Sequence, residues 1–381
     1  MRLKRGVAVV AIALAGALAM TSCAKGGDDD SDSGAPSGQK CRTAEDLTPP
    51  PSSTAPGETI DASAMKVGLA FDIGGRGDAS FNDAAAAGLD KMVSEAGLKK
   101  ENTKELTATD QEAESAKQTR LQQLADEGYN PVVAIGFAYS DATVAIAKKY
   151  PDTKFAVVDG FAENAPKNVT FLGFAEQEGS FLVGVVAALK SKSGTVGFVG
   201  GVNVPLIQKF EAGFTQGVKA AKPDTKVVKK YITQAGDLTG FTDPAKGQAA
   251  AEGLINQGAD VVYHGAGASG KGVFAAAHSA GIMAIGVDSD QFNQKSVAEY
   301  KDVIITSMLK RVDVAVFDYI TATATDKLAD LPPVFDLKVD GVGYSTSGGK
   351  IDDIVPEVDK YKQEIIDGKV IVQDKPSCVK S

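Results

Sequence analysis

Val67-Gly68-Leu69-Ala70-Phe71-Asp72-Ile73-Gly74-Gly75-Arg76-Gly77-Asp78-Ala79-Ser80-Phe81-Asn82-Asp83 passes from an apolar, β-prone run through a glycine-rich turn into helical spacing. Such a run, bounded by turn residues, is a buried strand, and Ser80 sets an oxygen acceptor ahead of a helix whose first N–H groups lack partners. The pattern repeats along the chain. Similar runs occupy 131–137, 154–159, 169–174, 194–200, 227–232, 260–264, 282–288 and 303–308. Helix-length segments with apolar residues at three and four spacing occupy 82–96, 112–127, 142–150, 177–190, 206–221, 244–257 and 270–280. Asp141 before Ala142 and Asp243 before Pro244 mark two more helix starts. Strands alternating with helices make right-handed βαβ units, so the fold class is α/β. Nine strands exceed one comfortable open sheet and predict two doubly wound parallel-sheet lobes. Ligands of such sheets lie beyond the carboxyl ends of the strands, which directs attention to polar residues at the strand-to-helix turns.

Composition narrows the chemistry. The 381 residues are 43% hydrophobic and 23% charged, which excludes wholesale disorder and fits about two domains. Lys plus Arg number 40 against 49 Asp plus Glu, and a net charge of −9 argues against nucleic acid, whose phosphates need a basic face. His264, His278, Cys23, Cys41 and Cys378 are too few and too scattered for a zinc cluster, so no metal and no cofactor is expected. His264 reads as a strand-end polar group and His278 as solvent facing. The turn after the first strand is no phosphate loop: it lacks a Gly-Lys-Ser/Thr end, and Ser80 stands where the third dinucleotide-binding glycine belongs. The bland alternative is a loop whose glycines only satisfy positive φ.

The amino terminus reads as an address. Arg2, Lys4 and Arg5 precede 17 uncharged residues, Gly6 to Ser22, too short and glycine-interrupted for a membrane span of about 20 apolar residues. Met20-Thr21-Ser22-Cys23 resembles a bacterial lipobox, which implies a signal peptide over 1–22 and a lipidated Cys23. Removing that segment leaves 37 basic against 49 acidic residues, so anchoring would rest on acyl chains rather than charge. Residues 23–64, rich in Gly, Ser, Asp, Pro and Thr, read as a disordered tether. Cys41 in the tether and Cys378 near the other end are expected to pair in an exported chain, the alternative being two free or intermolecular thiols.

The run from Val67 to Asn82 closely resembles the opening signature of the basic membrane protein, or PnrA-like, family, the lipoprotein substrate-binding components of ABC transporters. Gly136-Phe137 through Asp141, Gly173-Phe174-Ala175-Glu176-Gln177-Glu178-Gly179-Ser180-Phe181-Leu182, Phe241-Thr242-Asp243-Pro244-Ala245-Lys246-Gly247 and Ile285-Gly286-Val287-Asp288-Ser289-Asp290-Gln291 agree with it. The resemblance covers about residues 65–375 and implies a type I periplasmic-binding fold that grips a purine nucleoside between its lobes. On the matching positions Phe81 and Phe241 would be two rings stacking on the base, Asn82 and Asp141 would read its edge, and Asp72, Asp288 and Lys310 would surround the sugar. Gly267 would offer backbone at close range. Each has a plainer reading: core or staple phenylalanines, Asp141 as a helix cap, Asp288 with Lys310 as a structural ion pair. The Gly201–Pro205 loop has no assigned role. One lobe is expected over about 65–172 plus 290–327 and the other over about 173–289 plus 328–375. The resemblance further implies a permease and an ATPase as partners, a lipid anchor on the extracytoplasmic face of the cell membrane, a monomer, and no enzymatic activity. A sensor or surface lipoprotein without a transporter, and an exported nucleoside-processing enzyme, are the competing readings.

Overall fold

The structure, a computed structural model, describes residues 40–47 and 60–380. The signal segment 1–22, Cys23 and most of the tether lie outside the described residues. The first sheet holds β1 (Val67–Phe71), β2 (Thr103–Thr107), β3 (Val132–Ile135), β4 (Phe155–Val158) and β5 (Val169–Leu172) in the order β2-β1-β3-β4-β5, with every pairing parallel. The second holds β6 (Thr195–Asn203), β7 (Lys226–Gln234), β8 (Val261–Gly265), β9 (Met283–Asp288), β10 (Ile304–Lys310) and β11 (Val342–Tyr344) in the order β11-β10-β9-β8-β6-β7. Only β11 runs antiparallel in it, on the outer edge of β10. Both are parallel sheets with buried central strands: β1, β3, β4 and β8 are buried at every residue, as helices on both faces require.

The lobe boundary differs from expectation. Residues 304–310, assigned from sequence to the first lobe, form β10 of the second sheet, buried at all positions but Leu309 because β9 and β11 flank them. The chain crosses back only after it. Helix α8 (Val312–Ala324) packs on α1 (Phe81–Glu95) so closely that a Cβ on Gly88 would fall 2.5 Å from the Asp313 carbonyl oxygen. Crossings at 173–175, 311 and 325–335 therefore join the lobes, and two run side by side: Phe335 N donates to Gly173 O at 2.9 Å and Ala175 N to Phe335 O at 3.1 Å. The rings of Phe174 and Phe335 stack there at 5.2 Å.

The tether is less free than its composition suggests. Ala62 is wholly buried and its N–H donates to Ala96 O at 2.8 Å, so the folded body begins before residue 65. Cys41 is bonded to Cys378 with the sulfurs 1.95 Å and the Cα atoms 5.6 Å apart. Arg42 N donates to Gln373 Oε1 at 2.9 Å, and Gln373 N to Gln216 Oε1 at 2.8 Å, on α5 (Pro205–Ala221), which fixes this end of the tether to the second lobe. Among the described residues no helix is long and apolar enough to cross a membrane.

Candidate functional site

The carboxyl ends of β1, β3, β4, β6, β8, β9 and β10 converge on a cleft with walls from both lobes, about 650 Å³ of empty space with the open solvent at its mouth included. Asp72 leaves β1 with its Oδ1 accepting Ile73 N at 2.8 Å. Gly136, at φ +107°, ends β3 beside it, and a Cβ there would strike Asp72 Oδ2 at 2.5 Å. Beneath them Tyr139 Oη donates to Phe71 O at 3.1 Å and accepts from Arg120 at 2.7 Å, while Arg120 is paired with Glu112. Burial pushes the Asp72 carboxyl up to about 6.

Ser80 occupies the N-cap of α1 as expected, but its side chain does not cap. Asp78 does so instead, accepting from Ser80 N and Asn82 N at 2.9 and 2.8 Å, which frees Ser80 Oγ to donate across to Asp288 Oδ2 at 2.5 Å. Asp288 ends β9 in the left-handed region at φ +62°, and Asp159, at the end of β4 in the opposite lobe, does the same at φ +61°. Non-glycine residues rarely hold such angles without a compensating interaction. Here the compensation is Lys310, only 2% exposed at the end of β10, whose Nζ lies 2.6 Å from Asp159 Oδ2 and 3.2 Å from Glu176 Oε1. Burial alone would lower the Lys310 pKa, but Asp159, Glu176 and Asp288 together outweigh it and hold the ammonium charged. Burial likewise raises Asp288 to about 6 against the pull of Lys310. Glu176, at the start of α4 (Glu176–Lys190), has its burial penalty overcome by Lys209 and Lys310 and stays ionised; Lys209 is 3.0 Å away.

The upper walls are aromatic. Phe81 lines the cleft from the first lobe and Phe241 from the second. Phe241 rests against β6 at Gly201, where a Cβ would meet its ring at 2.5 Å. Gly267, at φ +53°, lines the cleft behind the Phe241 backbone. Lys310 Nζ sits 5.1 Å from the Phe81 ring centroid and 5.7 Å from that of Phe210. Asn82 donates from Nδ2 to Ile73 O at 3.3 Å, leaving its buried Oδ1, like Asp159 Oδ1, without a hydrogen-bond partner among the described residues. Both residues line the cleft.

Seven of the eight residues expected in the site thus line it together: Asp72, Phe81, Asn82, Phe241, Gly267, Asp288 and Lys310. Asp141 does not. It lies exposed in the first turn of α3 (Ser140–Ala147), one turn beyond the strand end, and Phe137 lines the cleft in its place. Phe137, Asp159 and Phe210 were missed. Asp159 closes a strand-type run and the strand-end rule could have found it, whereas Phe210, inside a helix, looks like any core residue. His264 is buried, its Nε2 3.0 Å from Gln291 Oε1, and burial holds its pKa down at about 4. His278 is exposed beside Asp302 at 2.8 Å.

A cleft between two parallel-sheet lobes, ringed by phenylalanines and floored by strand-end carboxylates around one lysine, defines a solute-binding protein of the type I periplasmic fold. The comparisons with known proteins agree. Residues 65–376 match the family described as ABC transporter substrate-binding protein PnrA-like, and the chain belongs to that family. It is 37% identical over 336 residues, 84% of this chain and 91% of the relative, to the CD4+ T-cell-stimulating antigen of Listeria innocua. It is 34% identical over 329 residues, 82% and 90% of the two chains, to the ABC transporter nucleoside-binding protein BmpA of Lactococcus lactis. Among solved structures, a solute-binding protein of an ABC transporter system from Aeropyrum pernix K1 superposes with a TM-score of 0.67 at 28% identity, covering 81% of this chain and 92% of its own. Family and fold are those of substrate-binding proteins rather than of enzymes.

Proposed function

We propose that the protein captures purine nucleosides between its lobes and hands them to an ABC permease and ATPase, held at the extracytoplasmic face of the membrane by a lipid on Cys23. The observation that carries this reading is that Phe81 and Phe241, from opposite lobes, line one cleft together with the carboxylates of Asp72 and Asp288. A flat heteroaromatic base gains about 1–3 kcal/mol per aromatic ring it stacks on. Its sugar hydroxyls can donate to Asp72 and Asp288, and the buried Oδ1 of Asn82 accepts from a base N–H. A nucleoside-binding relative from Lactococcus lactis supports the ligand class.

Calorimetric titration with guanosine, adenosine, guanine and ribose tests it. Guanosine and adenosine should bind, and Phe81→Ala and Phe241→Ala should each weaken guanosine about tenfold or more. Affinities within about twofold of wild type for both variants would remove the stacking assignment, and saturable binding of ribose alone would move the protein to sugars. Wild type should sediment with membranes and Cys23→Ala should not.

A further inference from the structure

The turn between β1 and α1 has the outline of a phosphate cradle. Gly74, Gly75 and Gly77 take φ of +92°, +56° and +105°, Ala79 takes +56°, and a 15-residue helix follows. The amino end of such a helix attracts anions, because its first N–H groups lack partners and carry the positive end of the helix dipole. This chain fills that position with its own side chains. Asp78 Oδ1 accepts from Ser80 N at 2.9 Å and Asp83 N at 3.1 Å, and its Oδ2 accepts from Asn82 N at 2.8 Å. Asp83 in turn accepts from Gly77 N at 2.7 Å and Ala79 N at 2.9 Å. Five N–H groups of the turn and the first helical turn are thus taken.

Asp78 is also part of the cleft wall, 8% exposed. Its charge reaches Asp288, where it acts with Asp159 as a like charge, and Asp72 lines the same floor. Lys310, the cation of the cleft lining, is already paired with Asp159 and Glu176. A dianionic group entering here would meet four carboxylates, a lysine already paired, and N–H groups already held by Asp78 and Asp83.

Resting on the nucleoside reading above, we infer that Asp78 is a specificity-determining residue: its carboxylate holds the anion position at the amino end of α1, so the cleft accepts an uncharged nucleoside and rejects the 5′-phosphate of the same nucleoside. The rejection is by charge, not by size.

The test is equilibrium binding of guanosine, guanosine 5′-monophosphate and 5′-O-acetylguanosine to the detergent-solubilised full chain. The monophosphate should bind about a hundredfold or more weaker than guanosine, since like charges brought together without compensation cost several kcal/mol. The acetyl ester should bind within about tenfold of guanosine, and the monophosphate penalty should shrink as salt is raised. In Asp78→Ser, which vacates the N–H groups, the guanosine-to-monophosphate ratio should fall by about tenfold. If that variant does not fold, Asp78→Asn, which removes the charge and keeps an acceptor for Ser80 N and Asp83 N, reads the same ratio, and a ratio unchanged in the variant that folds overturns the assignment to Asp78. Equal binding of guanosine and its monophosphate, or an acetyl ester rejected as strongly as the phosphate, overturns the inference while leaving the nucleoside reading in place. Failure of guanosine itself to bind overturns both.

Discussion

Asp288 ends β9 in a left-handed conformation with its carboxyl raised to about 6 by burial, Lys310 acting in the opposite sense. Its folded value lies above the unfolded 3.8, so at neutral pH folding confines a charge that the unfolded chain keeps in water. That cost fades as pH falls through 6 towards 4, because the folded carboxyl protonates first. Asp288→Asn should therefore stabilise the ligand-free protein at pH 7 by about 1–2 kcal/mol in urea denaturation, with the gain shrinking towards pH 4. The same change should weaken the proposed nucleoside, which loses an anionic acceptor. In wild type, guanosine affinity should be flat above about pH 7 and fall below about pH 6 as Asp72 and Asp288 take up protons. An affinity constant down to pH 5 would show that neither carboxylate accepts from the ligand. Asp72 and Asp288 were named through the family resemblance, and each also follows an apolar run directly. Asp141 was named through the same resemblance, but β3 ends before Gly136 and a short 3-10 turn, Phe137–Tyr139, carries the chain past the cleft before Asp141 appears. No residue pattern distinguishes a strand that ends in a helix from one that ends in an extra turn.

At the scale of elements, central strands and amphipathic helices were readable, while β2 and β11 were not. Lys104-Glu105 sits in an edge strand with half-buried residues, and β11 is three residues long, so neither shows an apolar run. The position of β10 was misjudged for a related reason: a strand buried on both sides looks the same whichever lobe supplies its neighbours. The glycines of β6 show what pattern alone cannot. Gly201 and Gly240 bring the Phe241 turn against the strand, with a Cβ on Gly240 meeting Gly201 O at 2.2 Å. Gly201→Ala should push the Phe241 ring out of the cleft, lowering guanosine affinity about tenfold while costing about 1–3 kcal/mol of stability through overpacking. Titration and urea denaturation of the same sample separate the two effects. Unchanged affinity alongside lost stability would mean that the ring finds its ligand from another seat.

The two lobes touch through apolar contacts, Ala79 with the core of the second lobe and Leu238 with that of the first, and through a set of polar ones. Lys310 Nζ meets Asp159 at 2.6 Å, Ser80 Oγ meets Asp288 at 2.5 Å, Ser289 Oγ donates to Ser80 O at 3.1 Å and Gln291 Nε2 to Ala79 O at 3.1 Å. The chain passes between the lobes at the three crossings, and chain segments of this kind bend as hinges. A ligand that touches both walls adds free energy only to the closed form and shifts the population towards it. Of the direct contacts, Lys310 with Asp159 is the one that buries opposite charges, and its lysine keeps Glu176 as a partner within its own lobe when the lobes part. Opening therefore strands no cation, whereas Asp159 regains water. Asp159→Asn should shift the ligand-free protein towards the open form, seen as a larger radius of gyration in solution scattering than wild type. Saturating guanosine should bring both proteins to the same compact value, because ligand contacts to Phe81 and Phe241 remain. The apparent dissociation constant of the variant should rise in proportion to its lost closed fraction, about tenfold if one wild-type molecule in two is closed and one variant molecule in twenty is. A variant whose scattering matches wild type without ligand, yet binds guanosine more weakly, would assign Asp159 to direct ligand contact through its unpartnered Oδ1 instead of to closure.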